Sequence, residues 1–349
     1  MRSELSISLV FCFVLGILHA GMAVSADAAD QATAPDGPPG GASLRIATWN
    51  IEHLGVGEES CLLRSGDDFR ALRSYARELD ADVVALQEVA SLAAAQRVFP
   101  VEEYDIVLAA HPNRGARPLC WLEPPLTRSE PVLLGDQFTG FAIRKGVPYE
   151  VHADVRGFGD LAGPPGRGAY VAADVSVELG EARLRLLSVH LLWGCSAPGD
   201  ESREACEPVF RQARALRAWV DERVDAGDPF ALLGDFNRPW DEDARYWQLA
   251  FALDRKGPGV VPSSASLDLD CHDMKDRGRS FIDHVFLFGE GWSERADFGQ
   301  LPIVRFDHRN YKISDHCPVF VDLAAGRSFA TDLRPPARRA RAAASSRAR

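Results

Sequence analysis

The sequence predicts one large α/β domain flanked by segments that lack apolar periodicity. The chain has 349 residues, and about 280 remain once both ends are removed, which suits a single large domain. Hydrophobic residues make up 46% of the chain and charged residues 26%, the composition of an ordinary globular protein. From Leu44 onward, apolar runs of strand length alternate with stretches of helical periodicity, and such alternation is typical of α/β folds.

Short apolar runs bounded by turn-forming residues predict the strands. They cover residues 44–49, 83–87, 104–109, 140–143, 170–177, 184–191, 230–233, 282–288 and 318–321. Helices are predicted over residues 67–79, 91–99 and 208–224. Pro208 suits the first turn of the third helix, and Gly227 suits its end.

The N-terminal segment has the pattern of an export signal. Arg2 is followed by an apolar stretch over residues 9–18 and by small residues that end at Ala26. We therefore expect a signal peptide over residues 1–26 and a secreted or periplasmic protein that does not stay inserted in a membrane after cleavage. An uncleaved membrane anchor is the alternative, because residues 5–24 carry no charge and almost span a bilayer.

The two ends of the mature chain are predicted to be disordered. Residues 27–43 form a linker rich in Pro, Gly and Ala, and the domain follows over residues 44–325. The tail, residues 326–349, is basic: residues 334–349 hold six Arg and no acid. A solvated tail is favoured over an arm that binds polyanions. Without those six charges, the formal net charge of −11 becomes about −17, which argues against tight non-specific binding to nucleic acid but not against a nuclease that holds phosphates through a metal.

Cysteine usage agrees with export. Cys12 leaves with the signal, and an even number of cysteines remains, namely Cys61, Cys120, Cys195, Cys206, Cys271 and Cys317. Three disulfides are therefore compatible with an oxidising compartment, and their pairing stays open. Cys195 and Cys206 are the best local pair because they flank a loop rich in Ser, Pro, Gly and Asp. The close Cys-x-x-Cys spacing of a structural zinc site is absent.

Six short polar islands carry the chemistry of the sequence. They are TWN at 48–50, LQE at 86–88, SVH at 188–190, GDFN at 234–237, IDH at 282–284 and SDH at 314–316. Each is interpreted as closing an apolar run, which would place its acid, amide or imidazole at a sheet edge. Oxygen ligands together with imidazoles indicate a site for a hard metal ion surrounded by proton-transfer groups.

The acids and amides of these islands suggest a phosphate site. Glu88 follows a strand and is the first choice as metal ligand, although it could simply start a helix. Asn50 ends the first strand, where its amide could orient a phosphate or the water of the metal, or could only form a turn. Asp235 and Asn237 alternate around Phe236, so both should point at one phosphate while Phe236 faces the core.

The two histidines His190 and His316 suggest proton transfer. His316 follows Asp315 and has a second candidate partner in Asp283, and a carboxylate bonded to one ring nitrogen raises the basicity of the other. His284 should point to the opposite face from its neighbour Asp283, so we interpret it as structural.

In this order, the motifs TWNIEHLG, DVVALQE, LLGDFN and SDHCPV resemble the endonuclease/exonuclease/phosphatase superfamily, which includes pancreatic deoxyribonuclease, exonuclease III, neutral sphingomyelinases and inositol polyphosphate 5-phosphatases. The resemblance covers residues 44–323. It implies a four-layer α/β sandwich with two central mixed β-sheets between helices. It also implies a divalent cation, usually Mg²⁺, for which Mn²⁺ or Ca²⁺ could substitute.

The resemblance also implies a role for each matching residue. The metal ligands would be Glu88, Asn50 and Asp315. The catalytic residues would be His190, Asp235, Asn237, Asp283 and His316, with His316 as base, Asp283 as its support and His190 as acid or phosphate clamp. Phosphate would be bound by Asn50, Asn237 and Arg167, the last in GRGAYVAADV. The segment GDQFTGFAIRKG lacks the Tyr of many nucleases of the superfamily, so Asp136 or Gln137 is considered as support for His190.

The sequence thus predicts an exported, Mg²⁺-dependent phosphodiesterase, first of all a monomeric endonuclease of the deoxyribonuclease type that acts on nucleic acid. The alternative is a phospholipid or small-molecule phosphoesterase, which the acidic body of the chain and its export favour. A catalytically silent binding module on the same fold is a third possibility. The presence of all the key acids, amides and histidines argues against it.

Overall fold

The computed structural model describes residues 43–57, 60–110, 136–155, 171–197, 199–251, 260–263, 267–271, 280–288, 296–304, 307 and 310–324. The predicted signal peptide, Arg167 and the basic tail lie outside these residues, as does the predicted linker except for Ser43, which begins the first strand. Among the helices described, none is both long and apolar enough to cross a membrane.

Strands and helices follow one another in the order that the sequence predicts, with additions. The strands are β1 (Ser43–Leu54), β2 (Val83–Val89), β3 (Tyr104–Leu108), β4 (Phe138–Arg144), β5 (Tyr149–Val151), β6 (Ala173–Leu179), β7 (Ala182–His190), β8 (Phe230–Asp235), β9 (Val260–Pro262), β10 (Asp283–Phe288), β11 (Ala296–Gln300) and β12 (Val319–Ala324). The α-helices are α1 (Gly66–Leu79), α2 (Leu92–Val98), α3 (Glu207–Ala226) and α4 (Ala244–Phe251).

The strands form two six-stranded mixed sheets with the same internal plan. The first has the order β11-β12-β1-β2-β4-β3, and the second has the order β5-β6-β7-β8-β10-β9. In each sheet the central pair is parallel, β1 with β2 and β7 with β8, whereas the other pairs are antiparallel. In each sheet, the two central strands therefore end at the same edge, and the loops that follow them begin there.

Period-two burial builds the predicted four layers. Along β1, Ile46 packs between the two sheets, whereas Ala47 and Trp49 pack on the other face against α1 and α2. The outer face of the second sheet packs in the same way against α3 and α4. Because successive strand residues face opposite sides, strands covered on both faces need the continuous apolar runs seen in the sequence. The predicted four-layer sandwich is confirmed.

The strands that the sequence analysis missed are β5, β9 and β11, and each is an edge strand. All residues of β5 are exposed, so the alternating pattern that marks a half-buried strand is absent there. The short helix α4 was also missed, although it has a buried face that includes Tyr246, Trp247 and Phe251.

Two disulfides join described residues. The predicted Cys195–Cys206 bond is confirmed, and it ties the loop after β7 to the start of α3. A second bond joins Cys271 to Cys317. Disulfides of this kind persist in oxidising compartments.

Candidate active site

The candidate site is the polar end of the interface between the two sheets. Each strand that carries a site residue buries apolar side chains on the inter-sheet face over most of its length. At the end of the strand that lies at the site, the side chains on this same face are polar. Along β1 this face reads Leu44, Ile46, Thr48 and Asn50, and along β8 it reads Ala231, Leu233 and Asp235. The space that the apolar core fills elsewhere is therefore lined here by buried hydrogen-bonding groups.

A short polar network joins the two sheets beneath the site. Gln87 on β2 donates from Nε2 to the Ser188 Oγ of β7 at 3.2 Å, and Thr48 Oγ1 donates to Gln87 Oε1 at 3.2 Å. Ser188 Oγ in turn donates to the carbonyl of Leu86 at 3.1 Å. Because all these groups are buried, their mutual bonds avoid the cost of burying unpaired polar atoms.

The islands reach this edge from two directions. His190 and Asp235 end their strands and Glu88 is the penultimate residue of β2, as predicted. Asn50 was predicted to end the first strand, but β1 continues to Leu54 and Asn50 instead ends its regular pairing with β2. Asp283 instead opens β10, and His316 precedes β12, so the prediction that these two islands close apolar runs is wrong. The reason is that β10 and β12 run antiparallel to β8 and β1, so their starts meet the ends of those strands.

Asp235 is held as an acceptor of several hydrogen bonds. Asn237 donates its backbone N–H to Oδ1 at 2.7 Å and its Nδ2 to Oδ2 at 3.2 Å, and Asn50 Nδ2 donates to Oδ2 at 3.1 Å. Burial raises the pKa of Asp235, although the nearby His316 opposes this. Phe236 between the two polar residues is buried in the core, as expected. Asn237 lies beyond the strand end with a φ of 52°, so a turn rather than strand alternation aims it.

The amide of Asn50 has a defined orientation. Its Oδ1 accepts from the backbone N–H of Glu52 at 3.0 Å, so its Nδ2 faces Glu88 Oε1 at 3.3 Å and Asp235 at 3.1 Å. The side of the amide that faces the two acids is therefore the donor side. This orientation suits the predicted contact with phosphate and does not suit the predicted role as metal ligand.

A bulge aims Glu88 at the site. Its neighbour Gln87 faces the other sheet, so regular alternation would turn Glu88 away. The pairing of β2 shifts register at this point, and Glu88 adopts a φ of 60°. Bulges often re-aim side chains in this way next to active sites.

The Glu88 carboxylate is fixed mainly by residues of β1 and of the segment before β4. Oε2 accepts from the His53 backbone N–H at 2.9 Å and from Gln137 Nε2 at 3.2 Å. Burial opposes ionisation, but His53 and His190 outweigh it and lower the pKa of Glu88 to about 2. Gln137, which was considered as support for His190, instead contacts Glu88 and lies 2.9 Å from His53 Nδ1.

The structure brings His316 and Asp283 together, as the resemblance implies. His316 Nδ1 lies 2.7 Å from Asp283 Oδ2, and its Nε2 faces Asp315 Oδ1 at 3.6 Å and Asp235 Oδ2 at 4.0 Å. Burial opposes a charge on the ring, but Asp283 and Asp315 outweigh it and raise the pKa of His316 well above its usual value.

His190 faces the same acids from the second sheet. Its Nε2 lies 3.6 Å from Asp235 Oδ2 and 3.8 Å from Glu88 Oε1. The Asp235 carboxylate is thus shared by two imidazoles, one from each sheet, because β7 carries His190 whereas His316 precedes β12.

His284 lies outside this group, as predicted. It is fully buried on the helix side of the second sheet, with Nε2 3.0 Å from the Arg238 carbonyl oxygen and with Phe236, Trp247 and Phe286 around it. Burial lowers the pKa of His284 to about 4.

Glu52 is a site residue that the sequence analysis missed. Its Oε2 accepts from the Asp315 backbone N–H at 3.1 Å. Burial and the charge of Asp315 raise the pKa of Glu52 to about 8. The residue stands within the quoted motif TWNIEHLG, but its φ of 37° departs from a regular strand, so alternation could not place it.

Arg64 holds the two segments that carry Glu52 and Asp315 side by side. Its guanidinium donates to the backbone carbonyls of Ile51, Glu52, His53, Lys312 and Ile313 at 2.6–3.1 Å. A single side chain therefore donates hydrogen bonds to several backbone carbonyls of the irregular end of β1 and of the segment before Asp315.

Two groups of acids could take part in binding a cation. Glu88, Asp315 and Glu52 offer carboxylate oxygens alone, the donors that hard cations such as Mg²⁺ prefer. Asp235, Asp283 and His316 also have potential ligand atoms within 4.8 Å of one another. In that second group, however, His316 and Asp283 already contact each other and Asp235 accepts three N–H bonds. The oxygen-only group has the donor chemistry that a hard cation prefers, whereas Asp235, Asp283 and His316 have the close spacing of ligand atoms.

Comparison with known proteins places the chain in a family. The model of the Endonuclease/Exonuclease/phosphatase family matches residues 47–316. The chain belongs to this family. The matched span contains every residue of the site described above. No curated protein sequence matches the chain.

Solved structures with this fold cover most of the chain. The truncated TDP2 of Caenorhabditis elegans is 16% identical, and the match covers 81% of this chain and 98% of that chain with a TM-score of 0.52. An endonuclease/exonuclease/phosphatase protein of Bacteroides vulgatus is 15% identical, with 80% and 98% covered and a TM-score of 0.53. TDP2 of D. rerio in complex with a single-strand DNA product is 18% identical, with 80% and 98% covered and a TM-score of 0.52. At these identities the likeness establishes a shared fold.

Proposed function

We propose that this family member is an exported, divalent-metal-dependent phosphodiesterase, first of all an endonuclease of the deoxyribonuclease type. The observation that carries the proposal is the convergence of two imidazoles, two amides and several carboxylates at one polar end of the inter-sheet interface. Asp235 lies at its centre, within 4.0 Å of both His190 and His316. Hydrolysis of a phosphate ester needs charge stabilisation, an oriented water, a base and an acid, and this set offers a candidate for each.

His316 is the proposed base. In the neutral ring, the contact with Asp283 holds the proton on Nδ1 and leaves Nε2 to accept one from water. Because nearby acids raise the pKa of His316, a bound cation that offset their negative charge would favour this neutral form. Nε2 faces Asp235, so a water between them would be oriented by the carboxylate and deprotonated by the ring. His190 is the proposed acid for the leaving oxygen.

The amides are the proposed phosphate contacts. Asn50 and Asn237 both present Nδ2 toward Asp235, and N–H groups fixed in this way can donate to phosphoryl oxygens without reorganisation. Arg167 stays a predicted phosphate ligand.

A divalent cation would be held by Glu88 and Asp315, with Glu52 beside them. When bound, it would supply the positive charge that stabilises the phosphoryl oxygens. Mg²⁺ is the cation proposed first, because the donors are all oxygens.

Nucleic acid is the proposed substrate class. Support comes from the solved D. rerio TDP2 complex with a DNA product, a protein of the same fold. A phospholipid or small phosphoester is the second candidate, favoured by the formal net charge of −11, because an acidic protein gains little from non-specific attraction to polyanions. A panel of plasmid DNA, RNA, sphingomyelin and phosphoinositide with Mg²⁺ separates the candidates.

The test of metal dependence compares Glu88→Gln with Glu102→Gln. Both remove one negative charge, but Glu102 is exposed in the turn before β3. We expect EDTA to abolish turnover, Mg²⁺ or Mn²⁺ to restore it, and Glu88→Gln to lower it by about two orders of magnitude or more, because the charge that binds the cation is lost. Glu102→Gln should match the wild type. Full activity in excess EDTA would contradict the proposed mechanism.

A further inference from the structure

Trp193 exposes its indole to solvent in the segment that follows the candidate-site residue His190. Trp193 is 72% exposed, the largest value among the exposed large hydrophobic residues that the structure describes. It follows His190 by three residues, in the segment that leaves β7. Leu191 and Leu192 between them are buried in the core.

The backbone on both sides of Trp193 is held in place. Before it, Leu191 donates its N–H to the Asp235 carbonyl at 2.9 Å, and Leu192 donates its N–H to Gln212 Oε1 at 2.9 Å. After it, the Gly194 carbonyl accepts from the buried Arg238 guanidinium at 2.7 Å. The exposed aromatic side chain is thus carried by a segment whose backbone is hydrogen-bonded on both sides.

Further contacts lock the segment that follows. Cys195 is joined to Cys206 at the start of α3. Arg238 also donates to Ser196 Oγ at 3.1 Å, contacts Asp243, and lies over the ring of Tyr246 at 4.2 Å. The backbone that carries the indole is therefore held in place, so little backbone entropy would be lost when a ligand binds to it.

The same segment is bonded to the candidate site. The Leu191 carbonyl accepts from Asn237 Nδ2 at 2.9 Å, and that nitrogen also donates to Asp235. Trp193 lies two positions after Leu191, so their Cα atoms lie within about 7 Å of each other. A group that reaches the indole can thus belong to the same molecule as a phosphate at Asn237.

We propose that Trp193 is a substrate-binding residue that stacks on a nucleobase next to the scissile phosphate and so selects nucleic acid over phosphodiesters that carry no base. This inference rests on the proposed function. A nucleobase is the aromatic group that accompanies a phosphodiester in nucleic acid, and stacking on an aromatic side chain tolerates any base. Stacking also needs no positive charge on the protein, so it gives an acidic protein a way to hold nucleic acid that the attraction of phosphates does not provide.

The test compares a short single-stranded DNA with the same strand in which the nucleotides next to the cleaved bond are abasic. Trp193→Ala should raise KM on the base-bearing strand by about tenfold, with kcat nearly unchanged. Trp193→Phe should retain most of the affinity because it keeps a ring. On the abasic strand, all three proteins should be equal. Leu92→Ala is the control, because Leu92 is also an exposed apolar residue, 47% exposed, but begins α2.

A second readout does not require turnover. In the His316→Ala background, binding of the base-bearing strand should quench part of the tryptophan fluorescence of the protein. This quenching should disappear when Trp193 is also changed to Phe. Equal losses on both strands, or quenching independent of the bases, overturn the stacking role. An emission shift with vesicles of phosphatidylcholine and phosphatidylglycerol, without any base effect, overturns it in favour of membrane contact. Failure of the wild type to cleave any diester contradicts the proposed function instead, and the binding readout still decides the role of Trp193.

Discussion

At the scale of single residues, the two histidines of the candidate site differ in what they contact. The Nε2 atom of each ring faces two acids, at 3.6 and 4.0 Å for His316 and at 3.6 and 3.8 Å for His190, and His316 has in addition a carboxylate 2.7 Å from Nδ1. The Asp283 contact holds a proton on Nδ1 of His316 and leaves its Nε2 to accept another, which is the basis for proposing His316 as the base and His190 as the acid. Their proposed roles as base and acid should therefore be separable by the chemistry of the leaving group.

We predict that His190→Ala is much more damaging on a natural diester than on a nitrophenyl phosphodiester, because nitrophenolate leaves without a proton. His316→Ala should damage turnover of both substrates, since both need the attacking water. Losses on the natural substrate should be on the order of 10²–10⁴-fold. The measurement is kcat on both substrates at saturating Mg²⁺, with His152→Ala as the control, because His152 contacts Ser176 instead of the site. Equal losses for His190→Ala on both substrates would remove its role as acid.

His284 should make the fold sensitive to acid. Its Nε2 contacts the Arg238 carbonyl, and Nδ1 has no hydrogen-bond partner among the residues that the structure describes. Burial lowers its pKa from 6.5 to about 4. Between these two values the unfolded chain binds a proton that the folded chain excludes, so stability falls as the pH drops from about 6.5 to about 4 and is unaffected by this group above that window.

The variant His284→Gln keeps an N–H donor and removes the titration. We predict that the wild type loses about 3 kcal/mol of unfolding free energy relative to this variant across that window. Urea denaturation at a series of pH values from 4 to 7.5 measures the difference. Parallel profiles for the two proteins would show that His284 is not the responsible group.

At the scale of the element, irregular backbone at the strand ends aims the site. Among the described non-glycine residues with positive φ, Glu52, His53, Glu88 and Asn237 all belong to the site or its contacts. Such conformations cost free energy and persist where surrounding contacts impose them. Here the contacts are the hydrogen bonds to Asn50, Asp235 and Glu88 and the guanidinium of Arg64.

Gly234, just before Asp235, illustrates how closely β7 and β8 approach. It pairs with Val189, its φ is 154°, and a Cβ at this position would lie 1.9 Å from the Val189 carbonyl oxygen. We predict that Gly234→Ala lowers the unfolding free energy by about 3 kcal/mol and reduces activity, because backbone rather than a flexible side chain must move. Gly66→Ala is the control, since only the end of the Arg70 side chain lies near that position. Chemical denaturation of both variants checks the prediction, and similar stabilities would contradict it.

At the scale of the whole molecule, two sheets with the same arrangement of strands bring six chain segments together at the candidate site. Disulfides hold two of those segments. The Cys195–Cys206 bond closes a loop with a sequence separation of 11, and the Cys271–Cys317 bond closes one with a separation of 46. Loop-closure entropy of the unfolded chain grows with loop length, which gives about 3 and about 4 kcal/mol respectively.

We therefore predict that the double variant Cys271→Ser/Cys317→Ser is destabilised more than Cys195→Ser/Cys206→Ser. The second pair should show the larger change in activity per kcal/mol of lost stability, because its loop is bonded to Asn237 through Leu191. Thermal unfolding and turnover of the two oxidised double variants are the measurements. The reverse order of stabilities would rule out a chain-entropy origin.

The amino-acid sequence by itself determined the layered α/β architecture and the residues at the strand ends. Buried central strands need continuous apolar runs, and a change from apolar to polar residues marks the end of such a run, so Asn50, His190 and Asp235 could be read directly. The edge strands β5, β9 and β11 could not, because strands with few buried residues carry no such pattern.

Only the tertiary structure decided how the acids and histidines meet. Alternation would turn Glu88 away from the site, and the bulge that re-aims it depends on pairing with two neighbouring strands. Glu52 reaches Asp315 because Arg64 holds two segments that are far apart in the chain, and Gln137 contacts His53 and Glu88 rather than His190. These placements follow from long-range pairing and from the hydrogen bonds that buried polar groups must find, and neither is encoded in the local order of residues.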